Sequence, residues 1–284
     1  MQKYFQLLKL TRALDIQVIH LHSSIAGLIG RLIPRKIPTM YSPHCFAFQR
    51  KDISLILRQI YLAAEYLLSQ RKCTLALCWP IEIHLAERYF YKSRTTFMPI
   101  VDLRGLELTA IKPIMDSIKI AVVGRIRPQK DPAFLTEAVN CVPGLNSRIV
   151  WIGSGDLELT ANLENSKVEV IPWMEQEEIW SSEMNLVATC IPSSWESGPL
   201  TLIESLSAGY PVICRAIPPL TIYGFETYGS PREFADALCR VSDSEIFRLG
   251  LFRNQVDAIL AMFRELNLKY AEDDPYYSVV KAYG

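Results

Sequence analysis

Two glutamates, Glu196 and Glu204, stand eight positions apart in the segment IPSSWESGPLTLIESLSAGYPVI. On one continuous helix, at about 100° per residue, they would lie roughly 80° apart, so a shared surface requires that only the second be helical. The local signals agree. Ser197 and Gly198 can cap a helix, Pro199 suits its first turn and Gly209 suits the stop past its end, which predicts a short helix over Pro199 to Ala208. Glu196 then belongs to the loop before the helix. The flanking runs NLVATCIPS and PVICRAI read as buried strands, so the helix crosses between parallel strands. In such a unit the loop after the first strand opens at the carboxyl edge of the sheet, where ligands of open α/β sheets bind. Glu196 would sit there beside a helix N-terminus whose free N–H groups and positive dipole end attract anions. A carboxylate beside an anion site suits a ligand with both hydroxyls and phosphates, as in a nucleotide sugar. A single glutamate at a helix start also has a plain electrostatic explanation.

The segment PSSWESGPLTLIESLSAGYPVI resembles the signature of the family 4 retaining glycosyltransferases (glycosyl transferases group 1), in which two glutamates separated by seven residues precede an AxGxPV segment. A second stretch, VGRIRPQKD at Val123 to Asp131, follows the strand IKIAVV and is similar to that family's GR…K pair. The resemblance is close over Ile118 to Ile217. It is weaker upstream, where VIHLHSSIAGLIGRL and MYSPHCFAF resemble the fourth and fifth strand regions of the family's first domain.

The resemblance implies a GT-B-like α/β fold of two Rossmann-like domains with parallel sheets. It also implies a hexosyltransferase-type activity that moves a sugar, with retention, from a nucleoside-diphosphate sugar to a glycan or lipid-linked acceptor. Surface polysaccharide or lipopolysaccharide assembly is the common family context. Arg125, Lys130 and the helix start at Gly198, Pro199 and Leu200 would hold the donor diphosphate and stabilise the negative charge that grows on it as the sugar leaves. No metal or cofactor is expected beyond that co-substrate. Glu204 would accept hydrogen bonds from the ribose hydroxyls. Glu196 would hold sugar hydroxyls near the reacting carbon, and His44, at the end of MYSP in the facing domain, would act on the sugar or acceptor. His44 also reads as a satisfied loop histidine, and Gly153-Ser154-Gly155 reads equally as a strand-to-helix turn or a nucleotide contact.

The chain departs from the family at its beginning, since the equivalent of DIQVIHLHSS already starts at Asp15. The expectation is therefore an incomplete N-terminal domain lacking about three strands, whose exposed sheet edge would favour a homo-oligomer. Two other classes stay open: a catalytically inactive donor-binding fragment, and a sugar-nucleotide epimerase of similar architecture. A dinucleotide dehydrogenase is disfavoured because no GxGxxG follows a strand.

Composition fits an ordinary enzyme. The 284 residues are 50% hydrophobic, and 30 basic residues balance 30 acidic ones, so no basic field points to nucleic acid. The seven cysteines form no CxxC pair and read as buried reduced thiols, which points to a cytoplasmic protein, either free or peripheral at the inner face of a membrane. The histidines lack zinc-binding helical spacing; His20 and His22 alternate along one strand face. Met1 to Leu14 reads as an amphipathic helix rather than a signal peptide. The apolar run ISLILRQIYLAAEYLL is broken by Arg58 and Glu65, so it is no membrane span. Its helical spacing suits either core packing or docking on a membrane surface.

Strands are expected near Gln17–His22, Thr39–Ser42, Thr74–Cys78, Thr96–Ile100, Ile118–Val123, Ile149–Ile152, Val168–Pro172, Leu186–Ile191 and Val212–Ala216, with helical patterns between most of them. This alternation specifies parallel sheets with helices on both faces. The domains follow as 1–104 on the acceptor side, a linker over 105–117, and 118–284 on the donor side. The last includes helices near Pro231–Val241 and Ser244–Leu266.

Overall fold

Strand runs alternating with helical patterns do form parallel sheets. The computed structural model describes residues 14–32, 37–90, 93–99, 118–222 and 224–269, with residues 6, 9 and 10. The expected linker and the Tyr-rich tail lie outside the described residues, as does most of the expected helix over Met1 to Leu14. Contacts divide the chain into two units, Met1–Asp102 with Phe263–Gly284, and Leu103–Met262.

Among the described residues, the first unit contains strands β1 (Ile19–His22), β2 (Thr39–Ser42), β3 (Thr74–Leu77) and β4 (Arg94–Phe97), all parallel and in the order 1-2-3-4. The helices α1 (Ser24–Leu32), α2 (Leu55–Ser69) and α3 (Pro80–Tyr89) connect them. β4 begins two residues before the expected Thr96 because Arg94 already pairs with Thr74. Arg31 of α1 and Glu65 of α2 form a buried ion pair at 2.6 Å, and Tyr41 of β2 donates its hydroxyl to the same carboxylate at 2.9 Å. Losing either charged partner would strand the other, at a cost of about 3–5 kcal/mol. The outward face of α2 does not pack: Leu55, Ile56, Ile60, Tyr66 and Leu67 are exposed, Ile56 at 75%. Of the two readings of this helix, core packing therefore accounts only for its inner side, where Leu68 is buried.

The second unit holds β5 (Lys119–Val123), β6 (Ile149–Ile152), β7 (Glu169–Ile171), β8 (Leu186–Ile191), β9 (Val212–Arg215) and β10 (Thr227–Tyr228). All are parallel, in the order 10-9-8-5-6-7. The named helices are α4 (Pro132–Asn140), α5 (Leu157–Asn165), α6 (Leu200–Ser207), α7 (Pro231–Asp243) and α8 (Glu245–Lys269). Successive β5 residues serve opposite cores. Ile120 and Val122 pack with Phe134, Leu135, Leu163 and Phe234, whereas Ala121 and Val123 pack with Ile179 and Tyr210. Burial on both faces explains why these strands read as unbroken apolar runs. β10, only two residues long, gave no periodic signal.

The expected boundary assigned everything after residue 117 to the second unit. The contacts instead assign the end of α8 to the first, where the Phe263 ring lies 6.0 Å from Trp79 and 5.9 Å from Phe97. The strand order has a direct consequence for function. The chain runs from β5 outward through β6 to β7, then returns to the other side of β5 as β8. The loops after β5 and β8 consequently part at a topological switch point, which is where such sheets open a crevice.

Candidate functional site

Those two loops carry Arg125 with Lys130, and Glu196. After β5 the chain makes one 3-10 turn over Pro128–Lys130, and Asp131 then caps α4 through a hydrogen bond from the Phe134 N–H. Lys130 Nζ reaches Glu196 Oε1 at 2.9 Å. Ser193 Oγ donates to the same oxygen at 2.9 Å, and Gln129 Nε2 donates to Glu196 Oε2 at 3.1 Å. The Ser194 N–H also donates to the Gln129 carbonyl, so the loops are cross-linked by backbone as well. Glu196 is only 8% exposed, and a buried carboxylate needs such a set of donors.

The helix α6 begins at Leu200, not at Pro199. Pro199 is its N-cap in extended conformation, and no side chain caps the helix, which corrects the expected roles of Ser197 and Gly198 as caps and of Pro199 in the first turn. Proline offers neither an N–H nor a capping oxygen; the Leu202 N–H turns back to the Pro199 carbonyl at 3.0 Å, and no side chain caps the N–H groups of Leu200 and Thr201 ahead of it. The helix is fixed to the sheet from behind, where Thr189 and Ser205 hydroxyls meet at 2.8 Å and Ser205 donates to the Tyr210 carbonyl at 3.0 Å. Gly209 takes φ +86°, the left-handed stop expected there.

Glu204, on α6, differs from Glu196. Its carboxylate has no hydrogen-bond or ion-pair partner among the described residues. Burial raises its pKa above the usual 4.5, and the Lys130 charge opposes that rise. Arg125 is exposed and likewise makes no hydrogen bond or ion pair among the described residues. Among the described residues Arg125 and Glu204 thus make no hydrogen bond or ion pair, and no side chain caps α6, whereas Glu196 is held in place. The Gly153-Ser154-Gly155 turn has a third role besides the two considered. A Cβ at Gly153 would meet the Gly124 carbonyl oxygen at 2.2 Å, and one at Gly155 would meet that of Ile126 at 2.0 Å. The glycines let this turn support the Gly124–Ile126 backbone.

His44 lies in the first unit, in a histidine chain at the carboxyl end of its sheet. Ser42 Oγ meets His20 Nε2 at 2.9 Å, the His20 and His22 rings are 3.9 Å apart, and His22 Nδ1 meets His44 Nε2 at 2.9 Å. Burial, then the neighbouring His22 and His44 charges, pushes His20 down to about 4, and burial lowers His44 as well. His44 and Cys45 both have positive φ, +50° and +94°. Glu82, wholly buried at the start of α3, holds this turn by accepting from the N–H groups of Cys45 at 3.0 Å and Cys78 at 2.8 Å. Sequence reasoning missed Gln129, Ser193 and Glu82. Of these, only Ser193 and Gln129 carried a usable signal, as neighbours of the glutamate and lysine motifs. Among the described residues no group of three or more His, Cys, Asp or Glu side chains could hold a metal ion, and no helix is long and apolar enough to cross a membrane.

Residues 107–222 match the family of glycosyl transferases group 1. Over 88% of its length the chain is 26% identical to the UDP-Gal:alpha-D-GlcNAc-diphosphoundecaprenol alpha-1,3-galactosyltransferase of Escherichia coli, of which it spans 72%. It is also 26% identical to an uncharacterized 41.2 kDa protein in the cps region of Klebsiella pneumoniae, over 76% of this chain and 65% of that one. Among solved structures, sucrose-phosphate synthase from Thermosynechococcus elongatus superposes with a TM-score of 0.75 at 17% identity, over 100% of this chain and 78% of that one. Anabaena Alr3699/HepE in complex with UDP and glucose gives 0.71 at 13% identity, over 94% and 80%. The architecture is that of the GT-B glycosyltransferases.

Because its folded pKa is raised, Glu204 holds its proton more tightly folded than unfolded. The resulting stability is full below pH 4.5 and lost as pH rises through the folded value. Glu204→Gln should therefore stabilise the ligand-free chain at pH 7, with the gain vanishing below pH 4.5. Urea denaturation at both pH values checks this, and a destabilised variant at pH 7 would show that the carboxylate has an internal partner after all.

Proposed function

We propose that this chain, which carries a glycosyl transferases group 1 domain at residues 107–222, moves a hexose from a UDP-sugar to a lipid-linked or glycan acceptor with retention. The observation that carries the reading is the switch point itself, whose loops and following helix carry the anchored Glu196, an Arg125 and a Glu204 that make no hydrogen bond or ion pair among the described residues, and a helix start that no side chain caps. The names of its relatives supply the donor and the setting: a UDP-Gal transferase acting on a diphosphoundecaprenol-linked sugar, and a protein of a cps region. We accordingly assign it to surface polysaccharide assembly.

As the bond between the anomeric carbon and the diphosphate oxygen lengthens, its electrons pass to that oxygen. Fixed donors aimed at the growing charge lower the barrier. Arg125, Lys130 and the leading N–H groups of α6 would supply them. Lys130 need not abandon Glu196 to do so, since an ammonium has three N–H donors and Glu196 takes one. Glu204 would accept the two ribose hydroxyls, which supply the donors it lacks among the described residues. Glu196 would hold hydroxyls of the transferred sugar, and His44 would serve the sugar or the acceptor.

Contact with a membrane follows from the same reading, because a lipid-linked acceptor resides there. The exposed face of α2 supports it. Ile56 and Ile60 lie one turn apart, and Leu67 continues the stripe at 67% exposure. The charged residues of this helix turn inward or sideways: Glu65 is buried and Arg58 donates to the Phe48 carbonyl. Lys51 precedes the helix, and exposed Arg71 and Lys72 follow it, an arrangement suited to an anionic lipid surface.

Calorimetric titration tests the donor site. Arg125→Ala should weaken UDP binding about tenfold or more, the factor that corresponds to ~1.4 kcal/mol, and leave uridine binding nearly intact. Glu204→Ala should weaken both ligands; negligible effects from both changes would remove the assignment. His44→Ala should lower sugar transfer by a larger factor than UDP affinity, and equal losses would place His44 outside the transfer step. Flotation with phosphatidylglycerol vesicles should fall in the Ile56→Ser, Ile60→Ser double variant, whereas unchanged flotation would rule out this face as the membrane contact.

A further inference from the structure

Arg215, the last residue of β9, is outside every role assigned so far, yet it touches both loops of the crevice. Its Nη1 donates to Asp131 Oδ2 at 2.5 Å and to the Pro192 carbonyl at 3.1 Å. Its guanidinium lies over the Phe134 ring, 3.9 Å from the centroid, which fixes the plane of the fork. Asp131 immediately follows Lys130, and Pro192 immediately precedes Ser193, one of the donors to Glu196. Asp131 also has φ +48° and ψ +64°, the left-handed conformation that glycine adopts freely and a side chain adopts at a cost. Its two carboxylate oxygens are both committed, Oδ1 to the Phe134 N–H and Oδ2 to Arg215.

We propose that Arg215 is a positioning residue for the donor site: through Asp131 and Pro192 it locks the left-handed turn after Lys130 to the loop that carries Glu196. It acts without touching the donor. The turn at Asp131 sets the direction in which Lys130 leaves the backbone, and the Pro192 carbonyl sets where the Ser193–Glu196 loop begins. A single planar cation bonded to both keeps the Lys130 ammonium and the Glu196 carboxylate within 2.9 Å. This inference rests on the donor-site reading for its catalytic meaning, but the coupling between the loops exists in the free chain and is measurable there.

A double-mutant cycle separates positioning from contact. Arg215→Met should weaken UDP binding about tenfold, the factor equal to ~1.4 kcal/mol. Asp131→Gly keeps the left-handed turn at no steric cost, so in that background Arg215→Met should cost less than about threefold, the difference being the coupling between the two sites. An equal loss in both backgrounds would mean that Arg215 acts on UDP binding without Asp131 and would overturn the proposal. Hydrogen exchange of the ligand-free chain gives the second readout. Arg215→Met should speed exchange in both 125–131 and 193–197, and Asp131→Gly should remove that effect in the first segment. Protection unchanged by Arg215→Met would also overturn the proposal. If the wild-type chain binds no UDP while the exchange pattern appears as expected, the donor reading fails and the coupling stands. Should Arg215→Met not fold, Arg215→Gln, which retains an N–H donor, carries the same cycle.

Discussion

The Glu196 carboxylate is almost wholly removed from water, a state tolerable only because Lys130, Gln129 and Ser193 converge on it. These donors come from both sides of the crevice. Lys130 and Gln129 follow β5, and Ser193 follows β8. The cost of burying one charge is thereby met by joining two loops. A carboxylate so thoroughly held can orient a hydroxyl with little loss of side-chain entropy on binding.

The sheet order explains why those loops are neighbours at all. Strands β5 and β8 pair directly, although the β6 and β7 units intervene in sequence. The helices of the two halves leave in different directions from that pair, the arrangement in which such sheets open a crevice outside their carboxyl ends. Backbone contacts behind the crevice then stiffen its rim. Gly153 and Gly155 admit the Gly124–Ile126 backbone to a distance that no side chain would allow, and Arg215 ties the turn at Asp131 to the Pro192 carbonyl.

The first unit uses the same physical device with different residues. Glu82 is buried and accepts from the N–H groups of Cys45 and Cys78, holding a turn in which two consecutive non-glycine residues have positive φ. A turn of this kind persists only when its surroundings over-determine it. Here the result is to present His44 to His22 at hydrogen-bond distance. In both units a buried carboxylate therefore fixes a loop at the carboxyl edge of a parallel sheet, and the residues proposed to do chemistry project from those loops.

Local sequence determined most of the strands and helices, because apolar runs, prolines and glycines act over a few residues and the parallel sheet demands burial on both faces. It also marked Glu196 as a loop residue and Glu204 as a helical one. The two-residue strand β10 was illegible, since it forms only by pairing with Cys214 and Arg215. So was the uncapped state of α6, which depends on what the residues before Leu200 are bonded to. The partners of Glu196 were readable as nearby residues but not as partners, and Arg215 lies 84 positions from Asp131. The inner and outer faces of α2 were both written in one apolar pattern, and only the packing of Glu65 against Arg31 and Tyr41 distinguished them. The physical reason is the same throughout. Periodicity and capping report energies that a segment has by itself, whereas the pairing of charges, including that of Lys130 with Glu196, depends on which loops the strand order brings together.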